Sequence, residues 1–399
     1  MEARDGAFGE IVYPTRSAEP FAPGNAGELG HTALLGALLG DVGALAERVE
    51  RATSPWETDW TRSTVDLSEL VLGVTARDPR DIVGGGPIDE PAFESVALGT
   101  EWLTDASPGA LVELGSEARF YPIAILAVHE VINDRFGDIP VAVTYCRLCN
   151  TALTFDRRIG GNVLRFGTSG LLRNSDLVMW DDATVSLWQQ VTGEAIVGSF
   201  AGAALTPIST AIVSYAQFVE AHPEGLSLSR AVTGIEYAAN PYVGYTNFIG
   251  PNEEYLAGPI DETLPPMSRV VGVTFTDGTA KAYPFGELRS ARVVNDVVGD
   301  VPIAVFWGGE TVDPLQAGTI DGGDPLGTGV AFDRRVAGRV LSFEPAGNDR
   351  FIDREARSTW TILGAGLSGE LADERLMPLN HSNGFWFAWA MFFPNAATY

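Results

Sequence analysis

The stretch Phe155-Asp156-Arg157-Arg158-Ile159-Gly160-Gly161-Asn162-Val163-Leu164-Arg165-Phe166 returns as Phe332-Asp333-Arg334-Arg335-Val336-Ala337-Gly338-Arg339-Val340-Leu341-Ser342-Phe343, identical at 8 of 12 positions. Repetition of that density marks two copies of one structural unit. Working outward, Gly137-Asp138-Ile139-Pro140-Val141-Ala142-Val143 matches Gly299-Asp300-Val301-Pro302-Ile303-Ala304-Val305 at an offset of 162. Asn133-Asp134 and Asn295-Asp296 keep the same register, as do Ala118-Arg119-Phe120-Tyr121-Pro122 and Ala280-Lys281-Ala282-Tyr283-Pro284. Gly86-Pro87-Ile88-Asp89 resembles Gly258-Pro259-Ile260-Asp261, and Trp188 corresponds to Trp360. The offset rises to 177 at Phe155, so the second copy carries 15 extra residues within Gly308–Gly329.

Within one copy, the Arg-Arg-x-Gly-Gly segment between apolar runs reads as a hairpin. Strands are predicted over Arg119–Tyr121, Pro140–Tyr145, Ala152–Asp156, Val163–Phe166 and Leu177–Trp180, with a helix near Ile123–Val131. Each copy is expected to close with a helix stopped by proline, Ser209–His222 before Pro223 and Ser382–Phe393 before Pro394. The expected class is α+β: a tandem duplication of a β-rich unit with flanking helices and antiparallel strands dominant. The expected domains are an N-terminal helical or irregular region over 1–85, repeat 1 over 86–230, a linker over 231–257 centred on Asn240–Tyr245, and repeat 2 over 258–399. Apolar spacing predicts a helix near Glu28–Thr53.

The 399 residues supply ample core for two to three domains, and the 45% apolar and 20% charged composition is that of a folded chain. Twenty-six basic residues, of which only Lys281 is lysine, against 52 acidic ones give a net charge of −26. Such a surface repels phosphate backbones, which argues against nucleic-acid partners. No run approaches the roughly 20 apolar residues of a membrane span, the nearest being Ala33–Leu39. No signal peptide is recognised, so the default expectation is a cytoplasmic chain, or an exported one if a leader was removed.

The two copies differ where chemistry is concentrated. Cys146-Arg147-Leu148-Cys149 and His129 occur only in the first; Gly308, Thr311 and Ala291 stand at the matching places in the second. The shared framework therefore does not require them. A Cys-x-x-Cys turn brings two sulfurs within reach of one soft ion, with His129 as the expected third ligand for copper or zinc. Asp176, Met179, Asp181 and, from the other copy, His381 are further candidates. A metal donor or acceptor, or a small molecule, would be the partner, and the second copy would shape the pocket, with its extra residues as a lid. Three other readings stay open. The thiols could cycle as a redox pair; one cysteine could be a nucleophile activated by His129, with Glu130 or Asp134 orienting it; or the thiols could be incidental in a binding or scaffold module. No reaction follows from any of them.

Other features read as framework. Phe385, Trp386, Trp389, Phe392 and Phe393 fit a core helix, Gly84–Gly86 a linker, and Asp156-Arg157 with Asp333-Arg334 a structural ion pair or turn. His31 and His222 read as surface residues.

The run Val143-Thr144-Tyr145-Cys146-Arg147-Leu148-Cys149-Asn150-Thr151-Ala152, together with His129–Asp134, Ser169–Met179 and the closing Phe385-Trp386-Phe387-Ala388-Trp389, resembles the bacterial and archaeal family called domain of unknown function 3179. The resemblance covers about Gly86 to Asn395. It implies one evolutionary unit whose members are often exported, and it supplies no reaction. Arg147 departs from that family's pattern, which usually has proline there.

Overall fold

Ile139–Cys146, an apolar run following a Gly-Asp turn, forms the central strand that positions the site. It lies between Val131–Phe136 and Thr151–Asp156, all antiparallel, with Thr206–Ile208 on the outer edge. The computed structural model describes residues 42–73, 77–78, 85–230, 235–248, 250–347 and 349–399. A second sheet is built on Pro108–Leu114, which pairs with Glu117–Pro122 on one side and Thr210–Ser214 on the other. Leu226–Leu228 runs parallel to Glu117–Pro122. A third sheet runs through Phe166–Arg173, Asp176–Asp181, Leu187–Gln189 and Ala195–Val197.

Between residues 269 and 398 these pairings recur in the same order. Arg269–Thr274 lies between Ala280–Pro284 and His381–Phe385, and Ala397–Thr398 runs parallel to Ala280–Pro284. Val293–Val298, Val301–Gly308, Thr328–Asp333 and Met377–Pro378 form the counterpart of the sheet that carries the cysteines. Phe343–Pro345, Arg350–Asp353, Thr359–Thr361 and Gly366–Ser368 form the counterpart of the third sheet. Strands account for 41% and helices for 14%, so the fold is mostly β and more β-rich than the expected α+β class.

The residues that recur in sequence do the same local work in each place. Asn133 donates to the Phe166 carbonyl at 2.7 Å and accepts from its N–H at 2.9 Å; Asn295 does so with Phe343 at 2.9 and 2.8 Å. Tyr121 and Arg119 converge on Asp134 as Tyr283 and Lys281 converge on Asp296. Trp188 donates to Asp181 and Trp360 to Asp353, both at 2.9 Å, and each carboxylate also caps backbone N–H groups of its own turn. The strand register fixes the partners of these polar groups, which are buried at Asn133 and Asp134 and more open at Asn295 and Asp296.

The structure corrects several expectations. Asp156 pairs with Arg158, whereas Arg157 donates to the carbonyls of Leu164 and Asp134; Asp333, Arg335 and Arg334 repeat the arrangement. Each closing helix is a strand leading into a seven-residue helix, Thr210–Ser214 into Tyr215–Ala221 and His381–Phe385 into Trp386–Phe392. The Gly-Pro-Ile-Asp match does not extend to structure: Ile88 bridges Ile132, while Ile260 packs against the cluster around the cysteines. Gly85 and Gly86 are buried rather than forming an exposed linker, and His222 is largely buried beside Glu113. Of the N-terminal helix, Val42–Thr53 is seen; Glu28–Asp41, with His31 and Ala33–Leu39, and Gly84 lie outside the described residues.

The apolar clusters cross the expected domain boundary. One joins Leu111, Phe120, Val213 and Phe218 to Phe306, Phe332, Phe351 and Trp360. Another joins the two cysteines, Phe166 and Trp188 to Leu315, Phe385 and Phe387. The expected linker also contributes, since Tyr242 and Tyr245 are buried in this second cluster. No helix among the described residues is long and apolar enough to cross a membrane.

Candidate thiol–carboxylate site

Side chains alternate along Ile139–Cys146. Val141, Val143 and Tyr145 face the buried helix Ile123–His129, whereas Ala142 and Cys146 face the cluster built by Phe166, Leu177, Met179 and Trp188. The chain then turns through Arg147-Leu148-Cys149, and Asn150 takes a left-handed conformation (φ 54°) before the next strand begins at Thr151. Asn150 is tied down by Tyr145, whose hydroxyl donates to its Oδ1 at 2.9 Å. Arg147 fixes the turn from the other face: it donates to the Ala127 carbonyl at 2.9 Å and pairs with Glu130 at 3.0 Å, closing the helix C-terminus. Both cysteines are free thiols and both are buried.

The third member arrives on a hairpin. Arg173 pairs with Asp176 across a two-residue turn, Asn174-Ser175, with both residues at positive φ (52° and 60°) as a type I′ turn requires. A serine there is unusual. The turn aims the Ser175 carbonyl at both sulfurs, which donate to it at 3.6 Å from Cys146 and 3.4 Å from Cys149. It also brings an Asp176 carboxylate oxygen and both sulfurs within 4.8 Å of one another. Asp176 Oδ2 accepts from Gln189 Nε2 at 2.6 Å and from the Val191 N–H at 2.9 Å. Its Oδ1 is buried with no hydrogen-bond partner, as is Ser175 Oγ.

The environment is dry, and it dictates the charge state. Burial pushes the Asp176 carboxyl up to about 6, against the pull of the Gln189 and Val191 donors. Burial likewise raises both thiols, Cys149 furthest because Cys146 and Asp176 stand beside it. The group is therefore two neutral thiols and a carboxyl poised between its forms near neutral pH. An isolated buried carboxylate is costly, so a cation placed here would supply compensation that the protein does not.

His129 does not join this group, contrary to the sequence expectation. Its helix covers the Tyr145 face of the strand while Cys146 points from the other. Its Nδ1 meets the Gly86 carbonyl at 2.7 Å and its Nε2 the Tyr237 hydroxyl at 2.8 Å, so it ties two distant segments to the helix end. Glu130 is committed to Arg147, and Asp134 to Arg119 and Tyr121. Met179 is buried in the same apolar cluster as the thiols. His381 is buried with Nδ1 on the Leu379 carbonyl at 2.9 Å and stands outside the thiol group. Asp176, a secondary candidate from sequence, is the residue brought in; the signal was the Asn174-Ser175 turn between two apolar runs.

Two irregular segments cover the sulfurs. Along the connecting stretch, the Tyr245 hydroxyl donates to the Leu148 carbonyl at 3.1 Å, the Tyr255 carbonyl accepts from Ser175 N–H at 2.9 Å, and Ala257 N–H donates to Asn174 Oδ1 at 2.9 Å. The 15-residue insertion is folded in beside it, with Leu315 fully buried in the thiol cluster and Asp313 paired with buried Arg269 at 2.7 Å. From the second half, Phe385 N–H donates to the Cys149 carbonyl at 3.0 Å, and Asn150 donates to the Asn383 carbonyl at 3.1 Å. Tyr242, Tyr245 and Leu315 were not anticipated as site residues, because contacts of such sequence separation leave no local pattern.

The second half lacks the thiols, and its counterpart hairpin, Phe343–Pro345 with Arg350–Asp353, is shorter. Trp188 follows Phe166 by 22 positions, but Trp360 follows Phe343 by 17, and the strands between are correspondingly shorter. The chain finds no match among curated proteins or among solved structures. A family model does match, over residues 86–396, and it takes in the cysteine turn, the Asp176 hairpin and the strands from Phe93–Ser95 to His381–Phe385. The chain belongs to that family, described as Protein of unknown function (DUF3179).

Proposed function

We propose that Cys146, Cys149 and Asp176 form a binding site for a soft metal ion, copper(I) ahead of zinc, and that the protein carries or uses that ion in redox chemistry or metal handling. The observation that carries this reading is the convergence of the buried Asp176 carboxylate and two buried thiols within 4.8 Å of one another. Two buried sulfurs suit copper(I), which is content with two soft ligands, and the carboxylate beside them is the harder member of the set; structural zinc takes four protein ligands and catalytic zinc an exposed water. Binding would release a proton to solvent from each thiol that becomes a thiolate ligand, and the ion's charge would offset the burial of the resulting anions. The strained serine turn, present only where the thiols are, supports the same reading. Thiol–disulfide exchange is the weaker reading, because both thiols are buried and held protonated, the reverse of an exchange-active cysteine.

The recurrence of strand order, pairing and anchoring side chains is best explained, in this proposal, by duplication of one ancestral unit. The second copy has given up the site and supplies its wall through Leu315, Asn383 and Phe385.

Elemental analysis of protein purified without chelator, and again after anaerobic loading with copper(I), tests the metal reading. About one ion per chain is expected in the parent and none in the Cys146→Ser/Cys149→Ser variant. A parent without stoichiometric metal under both conditions would overturn it and leave the thiols incidental to a scaffold.

A further inference from the structure

The stretch that precedes the family-matched region is wired into the site. Val71–Leu72 adds a strand to the edge of the hairpin that ends in Asp176, pairing with Leu171 and Leu172. Leu70 and Leu72 are buried there against Leu171, Val178, Leu187 and Ile196. Just before that strand, Glu69 Oε2 accepts from Arg173 Nε at 2.6 Å. Arg173 Nη1 in turn donates to Gln189 Oε1 at 3.4 Å, and Gln189 Nε2 donates to Asp176 Oδ2 at 2.6 Å. The polarity of this relay matters. An amide has one acceptor end and one donor end; by engaging the acceptor end, Arg173 directs the donor end at the carboxylate. With Oδ2 so occupied, Oδ1 is the oxygen left over.

We propose that Glu69 is a positioning residue for the thiol–carboxylate site, setting the Asp176 carboxylate through Arg173 and Gln189. This rests on the reading that Cys146, Cys149 and Asp176 act as one site. The second half is consistent with it: Arg350, Thr359 and Leu367 stand where Val178, Leu187 and Ile196 meet Leu70 and Leu72 in the first, so that face is no longer a continuous apolar surface. The N-terminal stretch is thus fitted to the half that holds the thiols. Glu69 touches neither sulfur and is not itself a ligand.

A double-mutant cycle on the full-length chain separates positioning from support of the fold. Glu69→Gln, Asp176→Asn and the double variant would be compared by the rate at which iodoacetamide alkylates the thiols in metal-free, reduced protein, and by copper(I) affinity in competition with a chelator. Glu69→Gln is expected to change the alkylation rate by about threefold or more, the scale of coupling within a contacting network, and to do so only while Asp176 is present. Copper affinity is expected to fall about tenfold, as for loss of an outer hydrogen bond to a ligand, and again only in the Asp176 background. Equal effects with and without Asp176 would overturn the proposal, since support of the fold alone predicts additivity. The alkylation arm needs no metal, so a chain that binds no copper but shows the coupling would end the metal reading and keep the positioning role. If Glu69→Gln fails to fold, Arg173→Met interrupts the same relay and is read in the same way.

Discussion

Asp176 is kept at a cost to stability that packing alone does not explain. In the folded chain burial holds its carboxyl near 6, against a usual value of 3.8. Between about pH 4 and pH 6 the folded state therefore retains a proton that the unfolded chain has released. The sign follows: the contribution is most favourable below about pH 4 and is lost as the pH rises through about 6, a change of about 3 kcal/mol. Asp176→Asn keeps an acceptor for Gln189 and Val191 but cannot ionise. Urea unfolding of metal-free protein should show parent and variant alike near pH 4 and the variant more stable by about 2–3 kcal/mol near pH 7; parallel pH profiles would contradict this. The opposite result is expected at Asp181 and Asp353, whose carboxylates each receive an indole and several backbone N–H groups. Alanine at either should cost about 2–4 kcal/mol in the same melts through orphaned buried donors, with the copper content unchanged.

The hairpin that brings Asp176 and the strap that covers it decide whether the sulfurs meet anything. Among its described residues, the strap from Tyr242 to Ala257 holds no regular strand or α-helix, and it is pinned to the site by the Tyr245, Tyr255 and Ala257 hydrogen bonds. Segments with few backbone pairings open at lower free energy than sheets do. Tyr245→Phe removes only the bond to Leu148; it should lower overall stability by about 1 kcal/mol while raising the alkylation rate of the two thiols more than that loss accounts for. Equal changes in rate and stability would mean that the sulfurs are reached by global unfolding. This scale also explains what the sequence revealed. The apolar runs Pro140–Tyr145 and Ala152–Asp156 and the recurring Arg-Arg-x-Gly-Gly hairpin are local patterns, and strands stand there. The closing segments misled because Tyr215–Ala221 and Trp386–Phe392 are helical only after a five-residue strand, a boundary that apolar spacing does not mark. His129 misled for a plainer reason: adjacency in sequence put it near Cys146, but the two face opposite sides of one sheet.

In the whole molecule, the two halves share large apolar clusters, while each also keeps a smaller one of its own. Phe120 and Phe218 pack in one cluster with Phe306 and Trp360, and the thiols share another with Leu315 and Phe385. Heat or denaturant should thus unfold residues 86–399 in one cooperative step, and a fragment of 258–399 alone should lack fixed tertiary structure by near-ultraviolet circular dichroism. A folded isolated half would show that the shared clusters are dispensable. The dominance of antiparallel strands was readable from the repeated motifs, whereas the interleaving of the halves was not, because it depends on contacts such as Asn150 with Asn383 that span most of the chain. On the proposal of a duplicated unit, the difference between the halves is the centre of the account: strand order recurs, and the thiols with the longer hairpin that brings Asp176 occur in the first half. X-ray absorption at the metal edge of the copper-loaded chain reads that centre most directly. Sulfur neighbours from Cys146 and Cys149 with an oxygen neighbour lost in Asp176→Ala are expected; a shell without sulfur, or one carrying imidazole scattering that disappears in His129→Ala, would contradict it.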